Sequence, residues 1–238
     1  NVLERTALGF EAFSKQLIDI VSPLVPAVKP QVAFFEQLGV AGFQALHSVI
    51  RYARESGLIV IADAKRGDIG NTSLYYAKTF YEYLDADSVT IAPYMGEDSV
   101  KPFLEYDGKW AIVLGLTSNK GAKDFELEKI GEQYLYEKVL KTCSECGSEE
   151  SMMFVIGATQ TPYFTRIRQI IPHHFLLIPG VGAQGGSLGD VCNGLMNDDI
   201  GILVNSSREI IYASKNLDFD IKAGEKAREL ATEMSLYL

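Results

Sequence analysis

Positive charge is in short supply in this sequence. Its 22 lysines and arginines stand against 31 aspartates and glutamates, a formal net charge of −9 over 238 residues. A field of that sign repels phosphate backbones and anionic lipid, so neither nucleic acid nor a membrane surface is expected as a partner. A small anion remains admissible, because its pocket needs only local positive charge. Cysteine is equally sparse. Cys143, Cys146 and Cys192 are an odd number, with one C-x-x-C in the polar stretch TCSECGSEES and no second pair. That argues against zinc and redox chemistry and for a reduced, cytoplasmic compartment, the stretch itself reading as a surface insertion. The three histidines, His47, His173 and His174, pair with no Cys, Ser or carboxylate in the order of a hydrolase triad. No apolar run approaches the ~18 residues needed to cross a bilayer.

Short apolar runs are what the sequence does have, seven of them, at 27–34, 58–65, 86–94, 109–118, 151–160, 174–182 and 200–207. Each is nearly continuous in Val, Ile, Leu and Ala and ends in polar, Gly or Pro residues, as parallel strands buried on both faces do. Between them lie helical spacings. Leu8, Phe10, Phe13, Leu17, Ile18 and Val21 share one face, closed by Pro23, and Phe43, Leu46, Val49, Ile50 and Ala53 share another. The unit repeats without a linker, which predicts an α/β fold over residues 1–238. A single-domain (β/α)8 TIM barrel is the first choice and a doubly wound open sheet the second. A barrel opens on a strand and this sequence opens on a helix, so a first strand is expected to precede Asn1.

In both folds the functional groups gather at the carboxyl ends of the strands. Lys29 sits inside the first run, and the second ends in IADAKRGDIGNTS, which carries Asp63, Lys65 and Asp68. Alternation along a strand puts Asp63 and Lys65 on one face, the barrel interior. Charges buried there cost several kcal/mol unless paired, so a Lys–Asp–Lys–Asp array is one way they coexist. A metal held by Asp63 and Asp68 would compete with Lys65, so no metal is expected. Later strands end in GLTSNKGA, in the glycine-rich IPGVGAQGGSLG, and in NSSRE with Arg208 beside a helix start at Ser206 or Ser207. Glycine leaves backbone N–H groups open to an anion, so the last two loops are candidates for a phosphate site. Tyr75, Tyr76, Phe80, Tyr81 and Tyr83 read as core or subunit-interface packing, and Trp110 needs no functional reading.

DAKRGDIGNT (63–72) resembles the D-x-K-x-x-D-I signature of the orotidine 5′-monophosphate decarboxylase family. KPQVAFFEQLG, ADSVTIAPYMGEDSV, LTSNKGA, GATQ, PGVGAQGG and NSSRE follow in that family's order, and the long insertion between LTSNKGA and GATQ is similar to its bacterial second group. The resemblance implies decarboxylation of orotidine 5′-monophosphate to uridine 5′-monophosphate without a cofactor, by a homodimer. It implies Lys29, Asp63 and Lys65 from one subunit, with Asp68, Ile69 and Thr72 reaching into the partner's site. Ser118 would hydrogen-bond the pyrimidine, Pro179 would line the ring, and Gln184 and Arg208 would hold the phosphate. The family's ribose-contacting carboxylate at the end of the first strand has no counterpart here, and Asp19 does not replace it. A metal-dependent phosphosugar aldolase or decarboxylase of the same superfamily and a noncatalytic phosphate-ligand binding protein stay open as alternatives.

Overall fold

The computed structural model of the chain describes residues 6–182 and 184–238. The strand expected before Asn1, and Ala183 in the middle of PGVGAQGG, lie outside the described residues. In chain order the elements are α1 (Ala7–Val21), β1 (Ala27–Val28), α2 (Val32–Glu36), α3 (Gly39–Glu55), β2 (Ile59–Arg66), α4 (Gly70–Lys78), β3 (Ser88–Ile91) and β4 (Trp110–Leu116). A small antiparallel pair, β5 (Lys129–Ile130) and β6 (Gln133–Tyr134), leads into α5 (Leu135–Ser144). Then come β7 (Met152–Ile156), α6 (Phe164–Ile170), β8 (Phe175–Pro179), α7 (Leu188–Leu195), β9 (Ile202–Asn205), α8 (Arg208–Ile211) and α9 (Phe219–Met234). Seven strands hydrogen-bond in the order β1-β2-β3-β4-β7-β8-β9, so neighbours in the sheet follow one another along the chain. Parallel register runs from Ala27 opposite Ile59 to Pro179 opposite Asn205. Parallel neighbours need crossovers, which the intervening helices supply.

Contacts divide the chain into two compact units, one of residues 1–64, 76–89 and 207–236, the other of residues 65–75, 90–206 and 237–238. In the first, α1 packs on α3 and on α9, and Ile18, Val21, Leu46, Val49, Ile50, Ala53, Ala223 and Ala227 are buried. Helix α1 is capped by the Thr6 hydroxyl, which accepts the Gly9 N–H at 3.1 Å, and it stops two residues before Pro23. Leu8 is exposed, so the apolar face of α1 narrows toward its amino end. In the second unit, all five residues of β7 are buried, and β4 is covered almost as completely. Phe154 is wholly buried, which contributes roughly 2–3 kcal/mol. The runs that form β4 and β7 are therefore strands covered on both faces.

Two expectations need correction, and one holds. The run at 27–34 is strand for only two residues, because Pro30 has no N–H for a ladder and the chain turns into α2. Pairing still continues through the carbonyl that proline retains. Pro30 O accepts the Asp63 N–H at 3.0 Å, and Gln31 bridges to Asp63. The helix start expected at Ser206 or Ser207 is present, with Ser207 at the N-cap position of the single-turn α8. Cys143 is not part of a surface insertion; it is buried on α5, and burial pushes its thiol up to about 12. Among the described residues no helix is long and apolar enough to cross a membrane.

Candidate active site

In the first unit, β1 and β2 deliver Lys29 and Asp63 to each other. Lys29 follows β1 directly, and its Nζ donates to Asp63 Oδ2 at 2.5 Å, the two side chains being 14% and 7% exposed. Gln31 Nε2 donates to the same oxygen at 3.3 Å. A buried pair offsets its desolvation only with good geometry and further hydrogen bonds, and the proline-carbonyl bridge supplies both by fixing the register of Gln31 against Asp63. Arg208 also belongs to this unit, exposed at the start of α8.

The second unit begins at Lys65. Its backbone is left-handed, φ 49°, which is rare for a residue with a side chain. The Lys65 N–H donates to the Thr90 hydroxyl at 2.9 Å, and the Arg66 carbonyl accepts the Ala92 N–H at 2.8 Å, so β3 and the residue after it hold the turn. Regular alternation ends here, and Lys65 is exposed where Asp63 is buried. The expectation that both are buried is thus corrected for Lys65, where a left-handed residue interrupts the two-residue period. Gly67 lies against Ala92, whose carbonyl oxygen would be 3.1 Å from a Cβ at that position. Asp68 Oδ1 accepts the Ile69 N–H at 2.8 Å, and its carbonyl accepts the buried Ser73 hydroxyl at 2.5 Å. Ile69 and Thr72 are exposed on either side of the start of α4.

The same unit brings Ser118 and Gln184 together across 66 residues of sequence, Ser118 Oγ donating to Gln184 Oε1 at 2.8 Å. Pro179 ends β8, and its carbonyl accepts the Ala158 N–H at 2.9 Å. Gly180 follows with φ 97°, and a Cβ there would stand 3.4 Å from that of Ser118. The expectation of open glycine amides in this loop is corrected for three of them. Gly182 N donates to Gly186 O, Gly185 N to Gly182 O and Gly186 N to Gly180 O, at 2.7–3.0 Å, so these three glycine amides are engaged within the loop. What Gln184 can offer an anion is its amide N–H pair, its carbonyl being engaged by Ser118.

Gln31 and Thr90 are positioning groups that the sequence does not mark. Among the other candidates, His47 packs against Tyr83 with ring centroids 5.0 Å apart and tilted 36°, and Phe80 and Tyr81 are buried while Tyr75 and Tyr83 are exposed. Among the described residues no three His, Cys, Asp or Glu side chains cluster as metal ligands would.

Polar and charged side chains at the carboxyl ends of sequential parallel strands define an α/β-barrel enzyme. Solved structures agree on the fold. The chain superposes on the structure of Leishmania donovani UMP synthase with a TM-score of 0.91 at 36% identity, covering 98% of this chain and 51%, about half, of that one. It superposes on Leishmania donovani OMP decarboxylase with a TM-score of 0.88 at 35% identity, covering 98% and 88%. Residues 8–218 match the orotidine 5′-phosphate decarboxylase / HUMPS family, and the chain belongs to that family. It is 54% identical over 226 residues to the orotidine 5′-phosphate decarboxylase of Phocaeicola vulgatus, covering 94% of this chain and 83% of that protein. To the enzyme of the same name from Flavobacterium johnsoniae it is 52% identical over 237 residues, covering 99% and 86%.

Proposed function

We propose that the chain converts orotidine 5′-monophosphate to uridine 5′-monophosphate and CO₂ in pyrimidine biosynthesis, as a cytoplasmic, cofactor-independent, single-domain homodimer. The observation that carries this reading is the buried Lys29–Asp63 pair, followed two residues on by a lysine held in a left-handed turn. Cleavage of the C6–carboxylate bond leaves its electron pair on C6, with no adjacent carbonyl to delocalise it. A preorganised ammonium lowers the energy of that charge. Lys65 then gives its proton to C6, and solvent reprotonates the amine. Asp63 anchors Lys29, and Asp68 of the partner subunit completes the alternating array. Ser118 addresses the pyrimidine, Pro179 lines the ring, and Gln184 with Arg208 takes the phosphate. Remote phosphate binding then orders the glycine-rich loop and serves catalysis as well as affinity.

The dimer is supported by exposed apolar surface in the second unit around the loop that carries Asp68. Ile69, Tyr75, Tyr94 and Met95 are 55%, 61%, 85% and 47% exposed, and Met95 lies against Gly67. Apolar side chains clustered beside charged groups mark a surface that another chain covers. The test is Lys65→Ala. Loss of all turnover with uridine 5′-monophosphate still bound, read by calorimetry, is expected; near-native turnover would overturn the proton-donor role.

A further inference from the structure

We infer that Glu126 is a positioning residue for this reaction, acting through Thr117 on Ser118; the inference rests on the role proposed above for Ser118. Glu126 lies in the insertion between β4 and α5, just after a 3-10 turn, Lys120–Asp124. Its own carbonyl accepts the Tyr136 N–H at 2.9 Å, which ties the residue to the first turn of α5. Its side chain reaches back to the end of β4. There Oε2 accepts the Thr117 N–H at 2.7 Å, and the carboxylate oxygens lie 2.8 and 3.0 Å from the Thr117 hydroxyl. Asn119 Oδ1 is 2.6 Å from the same hydroxyl.

Thr117 stands one residue beyond β4, where side chains replace strand partners. Gln160 Nε2 donates to its carbonyl at 2.6 Å, so both backbone groups of Thr117 are held by side chains. The next residue is Ser118. Its carbonyl accepts the Thr159 hydroxyl at 3.3 Å, and its backbone passes where Gly157 is bare. A Cβ on Gly157 would stand 2.5–2.7 Å from Ser118 N, Cα and Cβ. Glycine therefore sets how deep Ser118 lies, and the carboxylate of Glu126 fixes the turn that aims it. A hydrogen bond to an ionised acceptor is roughly twice as strong as a neutral one, which suits a turn that must hold its place while substrate enters. Misplacement of a recognition group by about 1 Å costs on the order of 100-fold in rate.

The experiment compares the wild type with Ser118→Ala, Glu126→Ala, Glu126→Gln and the Ser118→Ala/Glu126→Ala double variant. Turnover is measured, together with affinity for uridine 5′-monophosphate and for ribose 5-phosphate, which has no base. Glu126→Ala is expected to lower kcat/KM about 10- to 100-fold and to weaken uridine 5′-monophosphate, with ribose 5-phosphate unchanged. In the double variant the loss should not exceed that of Ser118→Ala, since one acts through the other. Glu126→Gln, which keeps an acceptor for the Thr117 N–H and the shape of the site, should lie between. Multiplying losses, equal weakening of both ligands, or an unchanged Glu126→Ala enzyme would overturn the inference. A Ser118→Ala enzyme with undiminished turnover would instead overturn the role of Ser118, and with it the premise.

Discussion

Lys65 combines two properties that seldom meet, a long charged side chain and a left-handed backbone. A non-glycine residue in that region costs roughly 1–2 kcal/mol, and the hydrogen bonds from β3 and the residue after it hold it there. Alanine is normally the more stabilising neighbour of glycine in a comparison, because glycine loses more freedom on folding. At position 65 the order should invert. Lys65→Gly is expected to be about 1 kcal/mol more stable than Lys65→Ala in urea denaturation, with neither turning over substrate. Alanine proving the more stable would contradict a left-handed residue 65. Motif spelling showed Asp63, Lys65 and Asp68 as a group, because charge inside an apolar run is conspicuous. It did not show the turn, since the positive φ of Lys65 is held by Thr90 on a neighbouring strand and by Ala92 just beyond it.

Elements were legible in proportion to how local their causes are. Strands β4, β7, β8 and β9 announce themselves by continuous apolar residues, and α3 by the spacing of Leu46, Val49, Ile50 and Ala53. Strand β1 was overdrawn because Pro30 breaks its ladder. The pairing of Ser118 with Gln184 and the return of Glu126 to Thr117 were invisible. One spans 66 residues, and the other crosses an insertion without periodicity. Arg168 shows the same gap at the opposite ends of the strands. From α6 its guanidinium donates to the carbonyls of Leu195, Ile171, His174 and Gly201, at 2.6–3.2 Å, and so joins the starts of β8 and β9 to the end of α7. Burial lowers its pKa to about 10, which leaves it cationic at neutral pH. Arg168→Met should cost roughly 3 kcal/mol by stranding carbonyls, and Arg168→Lys should recover only part, because an ammonium cannot fork to four acceptors. The urea midpoint measures both; a Met variant as stable as wild type would contradict this role.

For the whole molecule, stability should depend on pH through His174. Both ring nitrogens are buried without a hydrogen-bond partner among the described residues, and the ring packs edge-on against Phe154 at 5.3 Å. Burial holds its pKa below the ordinary 6.5, with Arg168 and His173 acting in the same direction and Glu149 against it. The unfolded chain therefore takes up a proton near pH 6.5 while the folded chain does not, and stability falls as pH drops below 6.5. Glu11 and Glu137, whose pKa values are lowered from 4.5 by their hydrogen-bonded cations Lys15 and Arg166, lose their contribution only in a more acid range. Thermal unfolding at pH 7.5 and 5.5 should show a drop in Tm that His174→Phe removes; an unchanged slope in that variant would assign the drop elsewhere. The net charge of −9 directs attention to a small phosphate ligand rather than a polyanion. The most direct measurement is consumption of orotidine 5′-monophosphate by the chain, followed by absorbance with a chelator present. Steady conversion to uridine 5′-monophosphate, matched by CO₂ release and indifferent to chelator, is the expected result. Substrate left unconsumed, or turnover that chelator abolishes, would contradict decarboxylation by Lys65 and its carboxylate partners alone.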